Sequence, residues 1–103
     1  RVDEVLDALD PRPICIIHGN ARGGDWCARS WAIRRGVLHF PFPAHWDIYG
    51  NSAGYVRNKH MLIHAKPDLV IAFPGGRGTA NMVETSRRWF IASGESIEVR
   101  IVD

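Results

Sequence analysis

"DLVIAFPGGRGTANMVE", residues 68 to 84, carries an apolar strand into a glycine-rich turn and then into a helix. The run Leu69-Val70-Ile71-Ala72-Phe73 is short and continuously apolar, as in a strand buried on both faces of a parallel sheet. Pro74 ends it, because proline cannot donate to the ladder. Gly75, Gly76 and Gly78 permit positive φ and let a ligand approach the backbone closely. The next helix has Thr79 among its first residues, so free N–H groups and the positive end of its dipole face the turn. An anion, most readily a phosphate, fits that arrangement. A strand-to-helix turn that holds no ligand is the competing reading. No Gly-Lys-Ser/Thr follows, so this is not a P-loop, and the glycine spacing also departs from the dinucleotide fingerprint.

The rest of the chain repeats the alternation. "ICIIH" (14–18), "VLHFPF" (37–42, stopped by Pro43) and "IEVRIV" (97–102) read as further strands. "DWCARSWAIRRG" (25–36) reads as a helix closed by Gly36, and "AGYVRNKHMLIHAK" (53–66) as one that ends before Pro67. "GTANMVETSRRWFIAS" (78–93) is a third, ended by Gly94. Strands alternating with helices of this length predict an α/β fold, a Rossmann-like three-layer α/β/α sandwich with a parallel sheet, formed by residues 1–103 as a single domain. The opening "RVDEVLDALD" (1–10) is helical, with Val2, Val5, Leu6 and Leu9 on one side. A doubly wound fold puts a strand before such a helix. The chain is therefore read as starting inside its domain, with an N-terminal strand missing.

Composition narrows the function classes. Of 103 residues 46% are apolar, yet no apolar run is long enough to span a bilayer, which predicts no membrane partner. No secretory leader is visible, and the expected localisation is cytoplasmic. Cys15 and Cys27 are too few for a disulfide scaffold and are expected as buried free thiols. The net charge of +2 hides eleven Arg against two Lys. Arg presents a planar fork of donors suited to phosphate, although a codon bias explains the same count. No basic run announces nucleic acid, so that partner is not expected.

Ligands of open parallel sheets bind beyond the carboxyl ends of the strands. Three loops meet that edge: "HGNARGGD" (18–25), the turn already described, and "PAHWDIYGNSAG" (43–54). In the first, Gly19, Gly23 and Gly24 precede Asp25 as an N-cap or first-turn residue, and Arg22 is expected in one cleft with Arg77. His18 is read as a satisfied near-core residue in preference to a ligand contact. Arg57 and Asn58 lie near the start of the 53–66 helix, close to the ligand edge. Tyr55, Val56, Leu62 and Ile63 are predicted on its buried side, with Arg57, His60, Met61 and His64 opposite. His60 and His64 have the i, i+4 spacing of a zinc pair, but no acidic partner is near, and neither a metal nor a cofactor is expected. Asn81 falls in the first turn of the last helix and can contact a ligand. Glu84 and Arg88 are spaced as an exposed ion pair, which weakens Glu84 as an acid or base. In the third loop Asp47 with His45 is a candidate acid–base pair. Trp46 or Tyr49 offers a stacking surface for a base, and a small hydrophobic lid uses the same residues equally well. Trp89-Phe90 suggests a homodimer face.

"IHGNARGGDWCARSWAIRRGV", "FPAHWDIYGNSAGYVRNKHML" and "PDLVIAFPGGRGTANMV" together resemble the YspA-type, cpYpsA-related branch of the SLOG superfamily, from about Ile14 to the end. The resemblance implies a Rossmann-like domain that binds a nucleotide or nucleotide-derived ligand. It maps the family's motif onto Gly19, Ala21, Arg22, Gly23 and Asp25, then Arg57 and Asn58, then Pro74, Gly75, Gly76, Gly78 and Thr79. The related LOG phosphoribohydrolases carry a Glu three residues after the Thr, where this chain has Met82. Within its own branch, Asn20 replaces the second Gly of "HGGARGAD", Gly24 its Ala, and Asn81 the usual Asp. The expected function is therefore nucleotide binding in a sensor or processing domain. LOG-type cleavage of a nucleoside monophosphate N-glycosidic bond, or of a phosphate ester, with Asp25 or Asp47 as acid/base, is the alternative. A DprA-like DNA-binding role is the second.

Overall fold

The computed structural model describes residues 1–94 and 97–102, and of 90–93 the backbone alone. It divides into two units, Arg1–Pro43 and Ala44–Asp103. Both are α/β, and each contains one parallel strand pair.

In the first unit, α1 (Val2–Asp7) precedes β1 (Cys15–His18), α2 (Gly24–Arg35) and β2 (Leu38–Pro41). β1 and β2 are parallel, with Cys15 opposite Leu38 and His18 opposite Pro41. Parallel pairing needs a crossover, and α2 supplies it. Gly36 ends α2 in the left-handed region at φ +69°, as the sequence predicts. Trp31 and Ala32 are the buried residues of α2. The Trp31 indole Nε1 donates to Asp7 Oδ1 at 2.8 Å, which ties α1 to α2. Arg35 adds a two-pronged pair to Asp7 (3.1 and 3.0 Å), and Arg34 Nη2 donates to both oxygens of Asp3 (3.0 and 2.8 Å). Hydrogen bonds from Arg35, then from Trp31, hold the Asp7 carboxyl below its ordinary range. Exposed pairs of this kind are screened by solvent and contribute little. Burial of the indole is the larger effect.

His18 closes β1 and is 2% exposed. Its Nδ1 accepts the Asn20 N–H at 3.1 Å, so the neutral ring carries its proton on Nε2, which donates to His39 Nδ1 at 3.2 Å. The two rings stack, with centroids 5.4 Å apart. Burial pushes the His18 pKa down, with His39 and Arg29 adding to it and Asp25 opposing. The unfolded chain therefore binds a proton at His18 before the folded one does. Stability from this group is complete above the ordinary histidine value of about 6.5 and is lost as pH falls below it. Urea unfolding followed against pH should show a decline that starts there, with a slope of up to about 1.4 kcal/mol per pH unit, the value for one proton. His18→Gln should flatten that slope; an unchanged slope assigns the decline to other groups.

The second unit begins with α3 (Trp46–Tyr49) and a single 3-10 turn, Gly50–Ser52. It continues through α4 (Ala53–His60) and a π-helical segment, Met61–Ala65. Then come β3 (Leu69–Ala72), α5 (Arg77–Ser93) and β4 (Glu98–Ile101). β3 and β4 are parallel, Leu69 opposite Glu98 and Ala72 opposite Ile101. The core is Leu62, Val70 and Ile97, with Met82, Trp89 and Val99 packed against it.

Four expectations change. The strands predicted for one sheet are hydrogen-bonded as two pairs, β1-β2 and β3-β4. Tyr55, predicted inside, is exposed, whereas Met61, predicted outside, is buried beside Leu62. The buried stripe of α4 runs through Ala53, Gly54 and Asn58 into the π segment, and glycine and asparagine give no apolar signal. Cys27 is exposed, not buried, while Cys15 is half-buried. Trp89, offered with Phe90 as a dimer face, is partly buried and packs against the core; the Phe90 side chain lies outside the described residues. Among the described residues no helix is long and apolar enough to cross a membrane.

Candidate functional site

The turn between β3 and α5 is built for space more than for handedness. Among the described glycines positive φ occurs at Gly23, Gly36, Gly50 and Gly94, and not in this turn, which corrects the expectation for Gly75, Gly76 and Gly78. Gly76 enters α5 with an extended backbone (φ −93°, ψ −146°). At Gly75 a Cβ would lie 2.4 Å from Thr79 Oγ1 and 3.2 Å from Thr79 Cβ, so only glycine fits without displacing Thr79. Gly76 would meet nothing within 4 Å, so the space above it is open.

α5 begins at Arg77 with Gly76 as its N-cap and no side-chain cap. The first intrahelical bond runs from Ala80 N–H to Gly76 O (3.1 Å), so the N–H groups of Arg77, Gly78 and Thr79 precede the ladder. Together with the helix dipole they make a local positive potential. Arg77 is exposed, and its side chain makes no hydrogen bond or ion pair among the described residues.

Behind this turn lies a hub that fixes its position. Asn58, 4% exposed, donates from Nδ2 to Gly78 O and to Asn81 Oδ1, both at 3.0 Å. Its Oδ1 accepts from Arg57 Nε at 2.8 Å. A buried amide so fully engaged positions its neighbours instead of reaching a ligand. Asn81 shares that role, since its Oδ1 is occupied by Asn58. The hub aims Arg57: its Nη2 lies 3.7 Å from where a Cβ would stand on Gly54, and 4.0 Å from the same point on Gly78. Trp46 Cη2 lies 3.8 Å from that Gly54 point. Arg57 and Trp46 therefore both approach Gly54 at the start of α4, and Arg57 reaches the start of α5.

On another side of α5 an open groove of about 480 Å³ borders the turn, with Phe73, Val83 and Ile101 as apolar lining and Arg87 among its charged residues. Glu84 also lines it. Its partner is Arg88 at 3.7 Å, both side chains more than two-thirds exposed, as the i, i+4 spacing predicts.

The first unit holds the remaining candidates. α2 starts from Gly23 at φ +88°, and Asp25 lies in its first turn, where Oδ2 accepts the Ala21 N–H at 3.2 Å. That bond gives Asp25 a loop-closing role. Arg22 lies with its Cζ 5.7 Å from the Trp26 ring centre, and Trp26 Nε1 donates to Asn20 O. Gly19 is buried. Asp47, in the second unit, is exposed in the first turn of α3. His60 and His64 contact edge to face at 5.6 Å, and among the described residues no group of three or more His, Cys, Asp or Glu could hold a metal ion.

No family model matches the chain, and no solved structure matches it. It is 33% identical over 95 residues to the Gene 61 protein of Mycobacterium phage D29, an alignment covering 84% of this chain and 75% of the relative. At that identity and coverage, the chain belongs to the family of this phage protein.

Proposed function

We propose that the chain binds a nucleotide or nucleotide-derived phosphorylated ligand, with the phosphate at the turn formed by Pro74, Gly75, Gly76, Arg77, Gly78 and Thr79. It acts in the cytoplasm as a sensor or processing domain of the SLOG type, with a Rossmann-like three-layer fold. One observation carries this reading: the start of α5 has no side-chain cap, while Arg57 is held beside Gly78 by a buried asparagine. Backbone N–H groups, a helix dipole and a pre-oriented guanidinium are the components that hold phosphate elsewhere in proteins. Arg77 supplies a second guanidinium at the rim. A phage relative agrees with the bacterial or phage setting of the resembled family.

Thermal unfolding with AMP, GMP, CMP and UMP tests this. At ligand concentrations about a hundredfold above Kd, binding should stabilise by about 2.7 kcal/mol, a shift of several degrees in Tm. Gly75→Ala displaces Thr79 and should abolish the shift, and Arg77→Ala should reduce it. A flat Tm with all four nucleotides at millimolar concentration refutes the reading.

A further inference from the structure

We propose that Trp46 is a stacking platform for the base of a nucleoside monophosphate whose phosphate is held by Arg57. This deepens the phosphate reading above and rests on it. The four tryptophans differ in what occupies them. Trp31 is buried with Arg12 over its ring, Cζ 5.9 Å from the centre. Trp26 has Arg22 over its ring and its N–H donated to Asn20 O. Trp89 packs into the core of the second unit. Trp46 is 60% exposed, and among the described residues no guanidinium covers its ring. An indole left that open is a costly exposure of apolar surface, and a planar ligand would remove it from water.

Its position supplies the second argument. The far edge of the Trp46 ring lies beside Gly54, with Cη2 3.8 Å from the point where a Cβ would stand. Arg57 Nη2 approaches the same glycine and also Gly78 at the start of α5. Aromatic surface and cationic donor thus lie beside the same glycine, within reach of one mononucleotide. Tyr49 and Tyr55 are exposed as well, at 42% and 46%, less than Trp46. A ring on Trp46 with a phosphate on Arg57 is the layout of a mononucleotide, and stacking tolerates any base because each has a π face.

Calorimetric titration with ribose 5-phosphate and with the tightest-binding of the four nucleoside monophosphates separates the two halves of the site. The wild-type protein should bind the nucleotide more tightly than the sugar phosphate. Trp46→Ala should weaken nucleotide binding about tenfold to a hundredfold and leave ribose 5-phosphate unchanged. Trp46→Phe should keep most of the affinity. The ring is largely exposed, so circular dichroism should show both variants folded. Unchanged nucleotide affinity in Trp46→Ala overturns the platform and leaves the phosphate site standing. Failure of both ligands to bind the wild type overturns the phosphate reading, and the platform with it.

Discussion

Trp31→Ala should lower the unfolding free energy by about 3–5 kcal/mol, the range for truncating a buried aromatic side chain. Trp31 is 1% exposed, and it performs two tasks at once. Its ring fills the space between α1 and α2 under Arg12, and its N–H satisfies Asp7. Alanine leaves a cavity and returns the fastening of α1 to exposed pairs of Asp3 and Asp7 with Arg34 and Arg35. Such pairs are too weak to hold a six-residue helix that has little stability alone. Trp31→Phe isolates the second task, because Asp7 keeps both bonds from Arg35. Its cost should be nearer 1 kcal/mol, the net worth of one hydrogen bond. Denaturant titration by far-UV circular dichroism measures both. Equal losses would mean that the hydrogen bond, not the packed ring, fastens α1. Since small proteins retain about 5–15 kcal/mol in total, the alanine variant removes a large share.

The elements of the fold were readable because apolar runs, prolines and glycines mark their ends without tertiary help. Gly36 and Gly94 stand in the left-handed C-cap conformation that their positions after the helices predict. β1 to β4 fall inside the four stretches predicted as strands, though only β1 and β3 lie in continuous apolar runs. Strand partnering was less legible, since which strands share a sheet depends on contacts that no local pattern encodes. The α4 face misled for a different reason. Its stripe contains Gly54 and Asn58, one without a side chain and one polar, and a hydrophobicity pattern is blind to both.

Asn20 shows how a departure from a familiar motif can be physically neutral. It stands where the resembled family has a glycine, and its φ of +57° lies in the left-handed region. Asparagine tolerates that region better than other side-chain-bearing residues, so the turn survives the exchange. The glycines of residues 75–78 taught the opposite. They invite an argument from positive φ, yet Gly75 is there for lack of a Cβ against Thr79. Sequence spacing indicates that a turn must be glycine-rich, but not which property of glycine it uses.

The candidate site was legible in its outline but not in its division of labour. Arg57 and Asn58 are adjacent, and the sequence offers both as ligand contacts. In the folded chain one is the arm and the other its anchor. Asn58→Leu, close in size but unable to hydrogen-bond, should therefore cost about 3 kcal/mol of stability. It leaves Gly78 O, Asn81 Oδ1 and the Arg57 Nε donor without this partner, at about 1–3 kcal/mol for each group that stays buried and unsatisfied. Asn58→Asp keeps the acceptor for Arg57 but turns a carboxylate oxygen towards Gly78 O and Asn81 Oδ1, which are both acceptors. It should be at least as destabilising unless protonated, so its deficit should shrink at acidic pH while that of the leucine variant does not. A double-mutant cycle of Asn58→Ala with Asn81→Ala then reports the direct bond between the two helices. A coupling of about 0.5–3 kcal/mol is expected, and a value near zero would show that the bond does not hold α5 to α4. In that case the joint between the helices would rest on the Asn58 bond to Gly78 O, while Asn58 Oδ1 would still hold Arg57.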